Sequence, residues 1–235
     1  MNKLKIKIFA DGADEKHMLA LNKLPHIKGL TTNPSLMKKA GVKNYSVFAK
    51  KILKKIKIKP ISFEVFSDKH EEMYKQAKII SSWGKNVYVK IPITNSKGKS
   101  CHKIIKKLSD EKVNLNITAV FTMNQVKNLK KNLNPKSKSI ISIFAGRIAD
   151  TGRNPANIIK QSIKMFSKNK NIEILWASTR ELYNIFEANN LKCQIITVTP
   201  DILKKTKLIN YNLNKYSLDT IKDFYNDAKA VGYKI

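Results

Sequence analysis

Arginine is nearly missing from this 235-residue chain. Of its 46 basic residues only Arg147, Arg153 and Arg180 are arginine, and the remaining 43 (46 − 3) are lysine. Cysteine is as scarce. Cys101 and Cys193 form neither a disulfide framework nor a metal-ligand spacing, and they point to two free thiols in a reducing cytoplasm. No apolar run reaches the length of a membrane span, so no membrane partner is expected. The opening residues 1–11 are broken by Lys5 and Lys7 and close on Asp11, which fits a first strand and not a signal peptide. Glycine is low, at eight residues. Neither a G-x-G-x-x-G turn nor a Walker-type loop is present, which removes the usual phosphate signatures of a doubly wound sheet.

Acidic residues are few as well, and the formal net charge is +29. Such a charge raises the question of a polynucleotide partner. The lysines are spread along the whole chain, however, and accompany abundant Asn and Ile. That composition points to an AT-rich coding sequence filling solvent-facing positions. The densest stretch, 50–59, interleaves Ile52, Leu53 and Ile56 at helical spacing, as an amphipathic helix with a solvated face does. A nucleic-acid groove is therefore the distant alternative, and no nucleic acid is expected.

What is present is a regular alternation. Short β-branched runs fall at 5–10, 27–31, 61–66, 86–91, 113–120, 139–146, 172–177 and 193–198. Several are continuously apolar, as strands buried on both faces are. Helical periods lie between them: Phe48, Ile52 and Ile56; Met73, Ala77 and Ile80 behind a cap at Ser67; Ile159, Ile163 and Phe166 with Asn154 as cap and Pro155 in the first turn. Eight strand–helix units predict parallel strands with helical crossovers. Closure into one (β/α)8 barrel over residues 1–235 suits the length, with a C-terminal amphipathic helix around 217–229 that packs on its own barrel or on a neighbour's.

In such a barrel the chemistry sits where strands end. Seven successive runs each supply a polar group there: Asp11; Thr31, Thr32 and Asn33; Glu64; Lys90; Asn116 and Thr118; Ser142, leading to Arg147; and Ser178, leading to Arg180. Taken singly, Asn33-Pro34 reads as a helix start, Asp11 as a cap, and Asn116, Thr118 and Ser142 as barrel-filling polar residues. Glu64 and Lys90 are ionisable groups inside apolar strands, where a charge needs a partner. The bland account of that pair is a salt bridge between adjacent strands. The arginines are the sharper signal. In a chain this rich in lysine, arginine's planar fork stands where bidentate phosphate binding requires it.

The strings Phe9-Ala10-Asp11, Gly29-Leu30-Thr31-Thr32-Asn33-Pro34-Ser35-Leu36, Ile61-Ser62-Phe63-Glu64-Val65 and Val89-Lys90-Ile91-Pro92 carry a family resemblance. So do Asn116-Ile117-Thr118-Ala119-Val120-Phe121, Phe144-Ala145-Gly146-Arg147-Ile148 and Ala177-Ser178-Thr179-Arg180. The chain resembles the transaldolase family in its short form, near the fructose-6-phosphate aldolase-like branch. The resemblance implies a class I Schiff-base mechanism on Lys90, with no metal and no cofactor. Asp11 would move the C4 hydroxyl proton, and Glu64 with Thr118 and a water would shuttle protons. Asn33, Asn116 and Ser142 would hold the three-carbon unit, and Arg147, Ser178 and Arg180 the phosphate. The substrates it implies are phosphorylated sugars, in metabolism of the pentose phosphate kind, and it implies a homo-oligomer.

Glu64, where the aldolases carry Gln, and Phe144, where they carry Tyr, favour group transfer over simple cleavage. The sequence departs from the family at Ile143, where proline is usual, at Ala149, where Asp is usual, and at Gly12, where Thr is common. These leave open the acceptor sugar, and with it an aldolase-like lyase or a divergent transferase.

Overall fold

A computed structural model describes residues 4–235. Eight strands close a parallel barrel in sequence order: β1 Lys7–Asp11, β2 Ile27–Thr31, β3 Ile61–Glu64, β4 Val87–Pro92, β5 Leu115–Val120, β6 Ser139–Ile143, β7 Ile172–Trp176 and β8 Ile195–Val198. β1 pairs with both β2 and β8, which completes the ring. Each of the eight apolar runs of the sequence overlaps one strand, and β1 and β4 run one residue past the ends of theirs.

The helices cover the barrel's outside. They are α1 Glu15–Lys23, α2 Pro34–Lys39, α3 Tyr45–Lys55, α4 His70–Ser81, α5 His102–Asp110 and α6 Met123–Asn132, then α7 Ala145–Ala149, α8 Ala156–Phe166, α9 Tyr183–Asn190, α10 Pro200–Lys204 and α11 Leu213–Val231. Five of them, α1, α2, α3, α6 and α11, start on short polar side chains that accept the free backbone N–H groups of a first turn. Asp14 caps α1, Asn44 caps α3, and Thr122 with Gln125 forms a reciprocal capping box on α6.

Three local expectations are corrected. The run at 139–146 stays a strand only to Ile143, because Ala145, Gly146 and Ile148 continue the apolar pattern as the short helix α7. α4 begins after Lys69 with no side-chain cap, and the Ser67 hydroxyl instead accepts the Lys69 N–H. Pro155 stands at the N-cap of α8, and Asn154 accepts from Ala156 two residues on.

Two apolar layers hold the barrel. The larger lies between strands and helices. The smaller fills the interior with Phe9, Ile140, Leu175, Ala177 and Ile195, packed with Tyr88 and Phe144. Gly29 makes room for it, since a Cβ there would stand 2.6 Å from the end of the Phe9 ring. Phe9 points to the same side of β1 as Asp11 and one layer lower, so the ring gives the polar groups above it an apolar floor.

α11 does not pack as the other helices do. None of its 19 residues is buried, although Leu218, Ile221, Phe224 and Tyr225 are all apolar or aromatic and at least half exposed.

Candidate active site

Lys90 is the only buried lysine among the described residues. β3 and β4 pair with Glu64 opposite Lys90, which follows from the parallel register Ile61↔Val87. The Lys90 amine lies 3.2 Å from Glu64 Oε2 and donates to the Thr32 carbonyl at 3.1 Å. The carboxylate and the carbonyl satisfy part of the amine's donor capacity, which makes the burial of a cation tolerable.

A cavity opens above the apolar floor. Asp11 of β1, Lys90 of β4, Asn116 and Thr118 of β5 and Ser142 of β6 line it from the strands. Asn33, Phe144, Arg147 and Ser178 line it from the loops and α7. Nine of the eleven residues singled out in the sequence thus meet around one space. Glu64 stands just behind Lys90. Arg180 is directed elsewhere: its Nε donates to Asp150 Oδ1 at 3.1 Å and its Nη2 to the other oxygen of the same carboxylate. The fork is thus engaged by a carboxylate, not open to the cavity. Both partners are about half exposed, so the pair is worth little in stability and an anion can compete for it.

Asp11 is not the helix cap that it could have been, since Asp14 has that role. Its carboxyl is pushed above the ordinary carboxylate range, chiefly by burial. The charge of Lys90 and a hydrogen bond from Thr31 pull it back, and the charge of Glu64 adds to the rise. Asn33 does cap a helix: it accepts the Leu36 N–H at 2.9 Å while also lining the cavity. The helix-start and the site readings of Asn33 therefore both describe it.

Asn116 is held at both ends. Its Nδ2 donates to Ser62 Oγ at 3.0 Å, and its Oδ1 accepts from Ser142 Oγ at 2.6 Å. The Thr118 hydroxyl is buried and has no partner among the described residues. β5 bulges directly after it: Ala119 is left-handed at φ 57°, and the register to β6 shifts between Ile117 and Val120. Bulges of this kind re-aim side chains beside active sites. Phe144 packs on Phe121 at 5.5 Å, and the Arg147 guanidinium lies 5.7 Å from the Phe144 ring.

The β7–α9 loop carrying Ser178 is pinned from α7. Ser178 is left-handed at φ 63°, and a Cβ on Gly146 would fall 1.6 Å from the Ser178 carbonyl oxygen. Gly146→Ala must therefore displace that loop. We expect a destabilisation of roughly 1–3 kcal/mol, the usual cost of overpacking, seen as a lower Tm, together with a raised KM for phosphorylated substrates. A variant unchanged in both would contradict the packing.

Ser62, Thr31 and Thr197 also belong to this polar group and were not singled out for the site in the sequence, although Thr31 stood among the strand-end groups. Thr197 lies between Ile196 and Val198 on β8, so the alternation that marked the other seven strand ends marks it as well.

A model of the Transaldolase/Fructose-6-phosphate aldolase family matches residues 8–235. A probable transaldolase of Brucella anthropi is 33% identical over 231 residues, covering 98% of this chain and 100% of the relative. A probable transaldolase of Nitrosopumilus maritimus is 33% identical over 228 residues, covering 96% and 97%. Among solved structures, the tryptophan synthase alpha subunit of Campylobacter jejuni superposes with TM-score 0.56 at 18% identity, covering 90% of this chain and 92% of that one. A putative dihydrodipicolinate synthase family protein of Coccidioides immitis gives 0.59 at 11%, covering 92% and 75%. At such identities the two structures speak for the barrel fold alone.

Proposed function

The chain belongs to the transaldolase/fructose-6-phosphate aldolase family, and on that premise we propose that it transfers a dihydroxyacetone unit from a ketose phosphate to an aldose phosphate through a Schiff base on Lys90. The observation that carries this reading is Lys90, the one buried lysine among the described residues, set 3.2 Å from Glu64 and facing the same cavity as Asp11.

In this reaction the Lys90 amine, once neutral, attacks the C2 carbonyl of the donor. Water leaves the carbinolamine with protons relayed by Glu64 and the Thr118 hydroxyl, whose lack of a partner among the described residues suits a bridging water. The iminium draws electrons as the C3–C4 bond breaks, and Asp11 takes the C4 hydroxyl proton. The aldose phosphate departs. The enamine carbon then attacks the carbonyl of the acceptor, Asp11 returns the proton, and water releases the product from Lys90. No metal is needed, because the iminium is the electron sink. Asn33, Asn116 and Ser142 hold the hydroxyls of the three-carbon unit. Ser178 and Arg147 hold the phosphate, and Arg180 joins them when the anion displaces Asp150.

Glu64 and Phe144 support transfer over plain cleavage, and metabolism of the pentose phosphate kind is the setting. The test is to supply fructose 6-phosphate with and without erythrose 4-phosphate. Product that forms only with the acceptor supports the reading. Steady release of a free three-carbon ketone without acceptor makes the protein a lyase instead.

The exposed apolar side chains of α11 support a homo-oligomer. Light scattering should give a mass above 26.8 kDa, and Phe224→Glu with Ile221→Glu should lower it. A monomeric wild type would end the proposal. A cytoplasmic location suits Cys101 and Cys193, thiols that burial pushes up to about 11 and about 12 and so keeps unreactive.

A further inference from the structure

Asp11 is not held by β1 alone. The Thr31 hydroxyl donates to Asp11 Oδ1 at 2.8 Å, and the same hydroxyl oxygen is in hydrogen-bond contact with Thr197 Oγ1. Both threonines are buried. They stand on either side of Asp11 because β1 lies between β2 and β8 in the ring, with Asp11 opposite Thr31 and Ala10 opposite Val198. β8 is fixed at this point, since the Thr179 hydroxyl donates to the Thr197 carbonyl at 2.7 Å. Thr197 also borders the cavity.

A hydroxyl has one hydrogen to give and two lone pairs to fill. Thr31 spends its hydrogen on the carboxylate, so its contact with Thr197 is satisfied only if Thr197 donates. The two contacts thus have a single consistent direction, from Thr197 to Thr31 to Asp11. Without the Thr197 hydroxyl, Thr31 loses the donor that polarises and fixes its O–H, and its own donation to Asp11 weakens.

We propose that Thr197 is a positioning residue for Asp11, acting through Thr31 to aim one hydroxyl hydrogen at the carboxylate that moves the C4 proton. The assignment rests on the catalytic reading above only for the role of Asp11, not for the hydrogen-bond chain. Its chemical consequence has a sign. Burial works against the charged carboxyl, and hydrogen bonds donated to the charged form work for it. Losing the oriented donor therefore moves Asp11 further up.

The other charged groups around Asp11 are the same in every variant compared. Lys90 and Glu64 face it from β4 and β3, and Arg147 lies across the cavity. On the opposite side, a groove that Asp11 also borders holds Asp14 and His17 of α1, Lys39 of α2, and Asp201 and Lys204 of α10.

The experiment is a carbon-13 carboxyl titration of the free enzyme. Wild type is compared with Thr197→Val, which keeps the shape and removes the hydroxyl, and with Thr197→Ser, which keeps the hydroxyl. Asp11→Asn identifies the signal. We expect the Asp11 midpoint to rise by roughly 0.5–1 pH unit in Thr197→Val, the equivalent of one ordinary hydrogen bond, and to stay near wild type in Thr197→Ser. The acidic limb of kcat with fructose 6-phosphate and erythrose 4-phosphate should move by the same amount while KM holds. If Thr197→Val does not fold, Thr197→Ala serves the same comparison. An unmoved midpoint overturns the proposal, as does an equal shift in Thr197→Ser, or a raised KM with the limb in place. If the wild type turns over no sugar phosphate, the catalytic reading fails, while the titration still decides the role of Thr197.

Discussion

Lys90→Arg is expected to abolish turnover, with a loss of at least about 10³-fold in kcat, because it removes the group to which the substrate is covalently attached. The choice of replacement matters. Glu64 is largely buried and takes its counter-charge from Lys90 at 3.2 Å. Lys90→Met would leave that carboxylate unpaired, and a single unpaired buried charge costs about 3–5 kcal/mol. A dead Lys90→Met enzyme could therefore be dead because it is unfolded. Arginine keeps the positive charge beside Glu64 but stays protonated throughout the working range, so it forms no Schiff base. Lys90→Arg should melt closer to wild type than Lys90→Met and be equally inactive. Steady-state rates and thermal melts of both variants separate the chemical role of the lysine from its structural one. Substantial activity in Lys90→Arg would remove the covalent step.

Asp11→Asn should cost about 10²–10⁴-fold in kcat, the usual worth of a positioned general acid or base, and KM should change little. Here the effect on stability has the opposite sign to that of Lys90→Met. Burial disfavours the charged carboxyl of Asp11, so a neutral amide of the same shape is no worse solvated and Tm should hold or rise. The pH profile adds a check. Asp11 accepts a proton only when ionised, and its carboxyl sits above the ordinary carboxylate range. The rate of donor cleavage should therefore rise with pH through a midpoint above that range. The limb should vanish in Asp11→Asn. A limb that survives the substitution belongs to another group.

The barrel itself was legible because each strand announces itself. Runs such as 61–66 and 113–120 are apolar enough to be buried on both faces, and the helical periods between them leave no other connection than a parallel crossover. Strand ends were less legible. At 139–146 hydrophobicity continues from β6 into α7, and nothing in the run marks Ile143 as the last extended residue. The site could be read where a polar residue interrupts an apolar strand, as Lys90 and Asn116 do. Reading strand ends one at a time also hid what they do to each other. Ser62 and Thr197 matter through Asn116 and Thr31, partners that only ring closure and register bring together. Arg180 shows the same limit. Its rarity marked it, but Asp150, 30 residues earlier, occupies its fork in a way that no local pattern announces.

The charge of +29 also takes a different meaning once positions are known. The lysines are dispersed in sequence, and apart from Lys90 none of the described ones is buried. Solvent-facing lysine is tolerated at little cost, so this composition does not disturb the barrel. Lys90 differs from the rest by its place on an inward-facing strand position beside an acid.

A Schiff base on Lys90 can be caught by borohydride reduction. The protein is incubated with fructose 6-phosphate, reduced, digested and mapped by mass. A stable three-carbon or sugar-phosphate adduct is expected on Lys90 and on no other lysine, and none in Lys90→Arg. An adduct on a different lysine, or full turnover with no trappable adduct, would contradict a Schiff base on Lys90.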